Sequence, residues 1–284
     1  MQLLSLIMEW VDRLNDKLSG VAQLIGVSVP VAKFFSSLLA GYVFAILFVL
    51  VPKPRNVGTR SVFSHLYFAG CGLAVSVFCF GHESLYNIAS VVVAYLSFRV
   101  LGTGIANVVF NFIFQLGYLI GAYTVFASDG YDINWTTPQC MLCLKLIGLA
   151  WDCYDGQEKR RLEKKGVELR PYQLESCYEE RPSLLQMFGF SFFFGSYLAG
   201  PLFSFTRYLS LADGSLVPEN IGHMSRVIAA CQKFLAAVLT FLFYSYYVPK
   251  YPCDYFLTKL LSRTPLPAGI IATQWWVRMV LVDG

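Results

Sequence analysis

Long apolar runs separated by short polar turns dominate the pattern of hydrophobic and polar positions along the chain. A helix that crosses a lipid bilayer needs about 20 mostly apolar residues, because every buried backbone polar group must find its partner within the helix. Six segments meet this requirement, so the pattern predicts at least six membrane-spanning helices. These segments are residues 34–51, 62–80, 85–101, 105–127, 184–203 and 227–248.

Two further apolar segments extend the expected number of transmembrane or re-entrant helices to six to eight. Residues 138–151 are few enough for a re-entrant or tilted helix, and residues 268–282 are interrupted by Arg278. The pattern therefore predicts an all-α multi-pass membrane protein.

Two glycine motifs predict local features of these helices. Gly117 and Gly121 form a G-x-x-x-G step, which favours the close approach of a neighbouring helix. Gly200 and Pro201 stand near the end of an apolar run, where proline removes an N–H donor and clashes with the preceding turn. We expect the helix to break or kink there.

The N-terminal residues have a different pattern. Over residues 1–25, apolar positions recur at helical spacing with charged residues between them, which predicts an amphipathic helix on the membrane surface. A signal peptide is the alternative, but it would need a basic start and an uninterrupted apolar stretch. We expect an interfacial segment at residues 1–32, followed by a transmembrane domain at residues 33–284.

The composition is typical of a protein embedded in lipid. Hydrophobic residues make up 56% of the 284 residues and charged residues only 14%, against about 25% charged residues in soluble domains. The formal net charge of +4 is small. It gives no reason to expect a nucleic-acid partner.

The positions of the basic residues predict the orientation of the chain. Three of them lie at residues 53–60, between the first two spans, whereas the turns at residues 81–84 and 128–139 have none. By the positive-inside rule, the first loop is cytoplasmic and the other two are lumenal or external. The same alternation predicts a solvated, partly helical cytoplasmic loop at residues 152–183. Contact of this loop with anionic lipid or a phosphorylated substrate is the alternative.

The run around Lys145 holds the most unusual charged residues. Lys145 and Asp152 share one helix face, but two turns separate them by about 10 Å along the axis, so they do not form a direct ion pair. Asp152 and Asp155 mark where the segment leaves the lipid on the cytoplasmic side. Charged groups at membrane depth are costly and often mark function. For Lys145 three interpretations stay open: it extends to the surface, pairs with a neighbour, or attracts the phosphates of a ligand.

None of the three histidines belongs to a recognisable catalytic motif. Soluble glycerolipid acyltransferases place an Asp five positions after the His, but Asn87 holds that position after His82. His65 lies in an apolar span, where a hydrogen-bonded imidazole facing the helices is the expected state, and His223 lies in a polar connector. The G-x-S-x-G elbow and the G-x-x-x-x-G-K-[ST] phosphate loop are also missing. The residues alone nominate no catalytic group.

Two motifs bear on metal binding and modification. Cys140 and Cys143 form a C-x-x-C pair, but a structural zinc site needs a second pair or histidines at matching spacing. None follows, so no metal site is expected. Asn134 opens the Asn-Trp-Thr tripeptide on the expected lumenal side, which makes it the candidate for glycosylation.

Two longer runs resemble the membrane-bound O-acyltransferase family, and within it the lysophospholipid acyltransferases. They are YDINWTTPQCMLCLKLIGLAWDCYDG at residues 131–156 and RPSLLQMFGFSFFFGSYLAGPLFSFTRY at residues 181–208. The resemblance extends less sharply upstream to about residue 33. It implies part of that family's fold in the endoplasmic-reticulum membrane. It also implies an enzyme that transfers a fatty acyl group from acyl-coenzyme A to the free hydroxyl of a lysophospholipid.

The resemblance also implies what these residues supply to the reaction. In the family a His acts as base and an Asn assists, inside a tunnel that coenzyme A enters from the cytosol and the lipid enters from the bilayer. Their motifs match no position in this chain, so no catalytic residue is carried over. Residues 131–156 and 181–208 would form part of the chamber wall, with Lys145, Tyr154 and Asp155 as its polar candidates.

Two functions are open at this point. The first is that of the N-terminal part of a lysophospholipid acyltransferase, surrounded by membrane lipid, with acyl-coenzyme A as co-substrate and no separate cofactor. The 284 residues alone would then be catalytically silent. The alternative is a non-catalytic membrane protein that binds lipid or a partner. A transporter is disfavoured, because paired broken segments in two symmetric halves are not visible.

Overall fold

The structure is a computed structural model. It describes residues 18–20, 22–23, 28–51, 54, 56–126, 133–163, 176–216 and 223–247. The predicted amphipathic helix at residues 1–25 lies largely outside the described residues, and the apolar segment at residues 268–282 lies wholly outside them. The described part of the chain is helical and contains no strand. The predicted all-α class is therefore confirmed.

The helices fall into two compact units, Met1–Leu216 and Val217–Gly284. In chain order the first unit contains α1 Val29–Leu50, α2 Val57–Phe80, α3 Ser84–Val100, α4 Ile105–Val125, α5 Thr136–Glu163, α6 Leu184–Ser191 and α7 Phe205–Asp213. The second unit contains α8, His223–Tyr247.

Within the described residues, three helical stretches are long and apolar enough to cross a membrane. They are Val29–Leu50, Val57–Val100 and Ile105–Val125. The second stretch comprises α2 and α3, which meet at a short 3-10 turn, Gly81–Glu83. Gly81 has a φ of 57°, a conformation that glycine adopts without a steric penalty. Four of the predicted spans thus correspond to α1 through α4.

Helix α8 covers residues 227–247 of the predicted span at residues 227–248, and the described apolar run within it is Ile228–Thr240. The predicted span at residues 184–203 is not one helix, and that prediction was wrong. Helix α6 ends at Ser191, and the backbone is irregular until α7 begins at Phe205.

Helix α5 is longer than the apolar pattern predicts. It has 28 residues, which corresponds to about 42 Å at 1.5 Å per residue. The prediction of a short segment at residues 138–151 was wrong, because the charged residues that follow continue the helix to Glu163 rather than ending it. The predicted loop at residues 152–183 is therefore partly helical, as expected.

The chain from α6 to the start of α7 enters and leaves at the same end of α5. Before it, the Tyr178 N–H donates to the backbone oxygen of Asp152 over 2.8 Å. After it, the Phe205 N–H donates to the Asp152 carboxylate over 3.1 Å. Its middle contacts Lys145, two turns nearer the start of α5. We call residues 184–204 the re-entrant segment.

Two glycines allow the backbone of other segments to lie directly against the helices. A Cβ atom on Gly72 would lie 1.6 Å from the carbonyl oxygen of Phe192, in the re-entrant segment. A Cβ on Gly156 would lie 2.1 Å from the carbonyl oxygen of Tyr178. Only glycine fits at these two contacts, because the obstructing atoms belong to the backbone.

The G-x-x-x-G step does not make such a contact. Among the described residues, no atom outside the helix lies within 4 Å of an ideal Cβ on Gly117 or Gly121. The close approach at this step stays a prediction, and the described chain makes such approaches at Gly72 and Gly156.

Replacing either contact glycine by alanine is expected to destabilise the first unit. Overpacking of a tight interior costs about 1–3 kcal/mol, and here a backbone segment would have to move. Gly72→Ala and Gly156→Ala should lower the midpoint of thermal aggregation in detergent by several degrees. Gly121→Ala is the matched control and should leave the midpoint unchanged or slightly raised, because alanine favours the helix. Equal midpoints for Gly72→Ala and Gly121→Ala would contradict the packing argument.

Candidate functional site

Lys145 lies within α5 with its side chain buried, 3% exposed. Its Nζ donates to the carbonyl oxygens of Phe190 over 3.1 Å and Ser191 over 3.4 Å, and to the Ser196 hydroxyl over 2.6 Å. A lysine ammonium has three N–H donors, so each donor has an acceptor. Of the open interpretations of Lys145, pairing with neighbours matches this geometry.

Two aromatic faces complete the surroundings of the ammonium. Its Nζ lies 5.3 Å from the ring centroid of Phe190 and 5.8 Å from that of Phe203. Aromatic faces attract cations within about 6 Å. The ion pairs among the described residues are Lys159–Glu179, Arg160–Glu179 and Arg161–Glu158. Carbonyl oxygens, a hydroxyl and rings therefore compensate the charge of Lys145, without a carboxylate from the described chain.

The structure does not bring the other two predicted polar residues to Lys145. Tyr154 and Asp155 stand about 14 Å further along the axis of α5, and at 100° per residue they project from other faces. The Tyr154 ring packs edge-on against Trp151, with ring centroids 5.8 Å apart. The three residues do not form one cluster, and their place in a substrate chamber stays a prediction.

Asp152 anchors the return of the re-entrant segment, beyond the apolar part of α5. Burial raises the pKa of this carboxyl to about 6. The Phe205 N–H lowers the pKa, the nearby charge of Asp155 raises it, and a hydrogen bond with Ser176 lowers it. The carboxylate also faces the first turn of α7, where the helix dipole favours negative charge.

A seam of buried amide and hydroxyl groups joins α3, α4 and α5, and the apolar pattern did not predict it. Ser90 Oγ donates to Gln115 Oε1 over 2.7 Å, and Gln139 Nε2 donates to Ser90 Oγ over 2.9 Å. One turn or more away, Asn111 Nδ2 donates to Ser97 Oγ over 2.9 Å and to Asn107 Oδ1 over 2.9 Å. We call these side chains the amide seam.

The sequence does carry a signal for the amide seam. Asn107, Asn111 and Gln115 recur every fourth position along α4, so they share one face of an otherwise apolar helix. Polar side chains in lipid-embedded helices face other protein rather than hydrocarbon. This spacing predicts which face of α4 is packed against its neighbours.

A tyrosine anchors the deepest part of the re-entrant segment. The fully buried Tyr197 hydroxyl lies 2.6 Å from Ser76 Oγ and accepts from Asn87 Nδ2 over 2.8 Å. Ser76 is in the last turns of α2 and Asn87 is in the first turn of α3. The segment therefore reaches the end of the bundle where α2 and α3 meet.

His65 is buried and both of its ring nitrogens are engaged. Nδ1 lies 2.7 Å from the Tyr208 hydroxyl, and Nε2 lies 3.1 Å from Ser61 Oγ. The expected hydrogen-bonded imidazole facing the helices is confirmed. His82 is exposed in the 3-10 turn, and His223 begins α8.

The glycosylation candidate lies in a turn at the start of α5. Asn134 Oδ1 accepts from the backbone N–H of Thr136 over 3.1 Å and also accepts from its hydroxyl, the arrangement of an Asx turn. Trp135 is buried, and its ring lies 4.7 Å from that of Tyr86. Whether Asn134 carries a glycan stays a prediction.

The titration of Asp152 predicts a pH-dependent stability. The pKa of Asp152 is higher in the folded protein than in the unfolded chain. Its stabilising contribution to the folded state is therefore fully present below its ordinary pKa near 3.8 and is lost as pH rises through about 6. The loss is at most about 3 kcal/mol, since one pKa unit corresponds to about 1.4 kcal/mol. Asp152→Asn should flatten the dependence of thermal stability on pH between 4 and 6.

The control for this prediction is Glu180→Gln, which removes an exposed carboxyl from the same part of the chain. It should preserve the pH dependence of the parent protein. A pH profile for Asp152→Asn as steep as that of the parent would show that another group is responsible.

Comparison with known proteins identifies the family to which the chain belongs. The sequence profile described as the membrane-bound O-acyltransferase family matches residues 119–283, more than half of the chain. Lysophospholipid acyltransferase 5 from Homo sapiens is 30% identical over 264 residues, which cover 93% of the chain and 52% of the human protein. The protein of the same name from Drosophila melanogaster is 31% identical over 270 residues, 94% of the chain and 51% of the fly protein.

A plant relative is more distant. Lysophospholipid acyltransferase 1 from Arabidopsis thaliana is 28% identical over 247 residues, 84% of the chain and 50% of the plant protein. The chain thus spans about half the length of the curated relatives it matches. The profile match, and identity of about 30% over nearly the whole chain, show that the chain belongs to the membrane-bound O-acyltransferase family.

Proposed function

We propose that the chain forms part of an enzyme that transfers a fatty acyl group from acyl-coenzyme A to the free hydroxyl of a lysophospholipid. The family and the printed names of the relatives support this reaction class. We also propose the endoplasmic-reticulum membrane as its location and acyl-coenzyme A as a co-substrate, with no separate cofactor. Within this reaction the described residues would supply the wall of the substrate chamber.

The irregular backbone of the re-entrant segment is the observation that carries the proposal. Among lipid-embedded helices, such backbone is tolerated only where protein buries it or where it lines a water-filled cavity. Phe192 still donates its N–H to the Phe188 carbonyl, but the residues from 193 to 204 are not helical, yet Phe192, Tyr197 and Leu198 are buried. Protein therefore covers this break, and we infer that the irregular segment forms part of a chamber wall.

The chemistry to be accommodated is an acyl transfer. The lysophospholipid hydroxyl attacks the thioester carbonyl carbon, a C–O bond forms, and the C–S bond breaks. A general base takes the hydroxyl proton, and coenzyme A leaves as its thiol after protonation. His65 is not proposed as this base, because it matches no catalytic position of the family. The part of these residues is to orient both substrates and keep water from the thioester.

Photolabelling tests whether these residues line a lipid chamber. A photoactivatable lysophosphatidylcholine is added to membranes that contain the chain, and labelled peptides are identified by mass spectrometry. We expect labels on peptides from α5 and the re-entrant segment, and at least fivefold less label there with excess unlabelled lysophosphatidylcholine. Labels on the exposed face of α1 serve as the control, because contact with bulk lipid is not competed. Labelling confined to such outer faces would contradict the proposal.

An acyl-transfer assay decides whether the 284 residues are active alone. Their silence stays a prediction, based on the missing match to the family's His and Asn motifs. The rate of transfer from arachidonoyl-coenzyme A to lysophosphatidylcholine should equal that of membranes without the chain. A rate above this background would contradict the silence and support the enzyme directly. Competed photolabelling without turnover leaves the lipid-binding alternative in place for this length of chain.

A further inference from the structure

The carbonyl groups at the end of α6 need hydrogen-bond donors, and Lys145 supplies them. The last carbonyl groups of an α-helix lack the usual helical partner, and Phe190 and Ser191 are the last two residues of α6. The Phe190 carbonyl accepts one long backbone bond, from the Phe193 N–H over 3.5 Å. Surrounding hydrocarbon supplies no donors. The Lys145 ammonium donates to both carbonyl oxygens and lies at the negative end of the helix dipole, where a cation is favoured.

The same ammonium also contacts the chain that follows the break. Ser196 lies in the turn beyond α6, and its hydroxyl makes the shortest contact with Nζ, 2.6 Å. Phe203 lies on the return toward α7, and its ring faces Nζ at 5.8 Å. One buried group thus contacts the α6 limb, the turn and the return limb of the re-entrant segment.

These contacts leave Lys145 no donor for a ligand. Phe190, Ser191 and Ser196 occupy its three N–H groups. A lysine that binds the phosphates of a substrate would have to release at least one of these contacts, of which the contact with Ser191, at 3.4 Å, is the longest. Lys145 could either position the segment or bind phosphate. The described geometry favours positioning.

We propose that Lys145 is a positioning residue that sets the depth of the re-entrant segment by holding its two limbs together. Tyr197 and Asp152 anchor the deepest part and the exit of the segment, and Lys145 fixes the part between them. The inference rests on the proposed function only in regarding the segment as part of the chamber wall. The contacts themselves hold whether or not the chain is an enzyme.

Thiol protection measures this role without any activity assay. Leu198 follows the deepest part of the segment and is 3% exposed, so Leu198→Cys places a protected thiol there. Its reaction with a membrane-permeant maleimide is quantified by mass spectrometry of the peptide, relative to protein denatured in SDS. Peptide resolution separates this thiol from the native cysteines.

Four variants in the Leu198→Cys background define the expected result. Lys145→Met keeps the length of the side chain but has no donor, and should speed labelling at least tenfold. Lys145→Arg retains the charge and should restore most of the protection. Ser196→Ala removes one acceptor and should speed labelling about threefold, with no further increase when combined with Lys145→Met. Lys233→Met, the same change at an exposed position of α8, should have no effect.

Several outcomes would overturn the proposal. Labelling of Lys145→Met as slow as that of the parent would show that the ammonium does not hold the segment. Weaker competition in the photolabelling of Lys145→Met, with the Cys at 198 still protected, would assign Lys145 to ligand binding instead. If Lys145→Met does not accumulate, Ser196→Ala decides, and parental protection in that variant overturns the proposal. Failure of photolabelling in the parent chain speaks against the proposed function alone.

Discussion

A backbone that leaves the helical conformation among lipid-embedded helices must satisfy its polar groups with protein, and this constraint organises the first unit. Helices α1 through α4 satisfy their backbone polar groups with hydrogen bonds inside each helix, so their outer faces are free to be apolar. The re-entrant segment cannot, because α6 is only eight residues long. Neighbouring elements therefore supply hydrogen-bond partners at three depths: Ser76 and Asn87 at Tyr197, then Lys145, then Asp152. The packing of α2, α3 and α5 places these groups against the segment.

The unit uses neutral and charged groups for different tasks. The amide seam joins continuous helices with neutral side chains, whose burial costs less than that of a charge even though Asn107 Nδ2, Asn111 Oδ1 and Gln139 Oε1 make no described hydrogen bond. An ammonium costs far more to bury, and one stands where it meets several acceptors at once: two helix-terminal carbonyls and a hydroxyl. A neutral amide has two donors on one nitrogen, so it would leave one of the three acceptors without a partner. The charge of Lys145 is thus linked to the break in the segment.

Apolar periodicity predicts continuous helices well and irregular apolar segments poorly. The bounds of α2, α3 and α4 agree with the predicted spans because each apolar run there is also a hydrogen-bonded helix. Residues 184–203 are equally apolar, and only Gly200 and Pro201 indicated a break. Hydropathy could not reveal it, because hydropathy does not report where the backbone N–H and C=O groups find hydrogen-bond partners. Helix α5 was predicted too short for the opposite reason, because charged residues can continue a helix beyond the lipid. The partners of Lys145 are far away in sequence, so no local pattern could identify them.

The two runs that resemble the family are also the two that pack against each other. Residues 131–156 contribute Lys145 and Asp152, against which residues 181–208 lie, and Gly156, against which Tyr178 lies just before the second run. Each of these contacts admits few residue types: a long cation, a carboxylate that accepts from a helix N-terminus, and a glycine beside another backbone. Lipid-facing positions admit any large apolar side chain. A recognisable sequence is therefore expected where the re-entrant segment meets α5 and not on the outer faces of α1 or α4, and the resemblance is indeed strongest in these two runs.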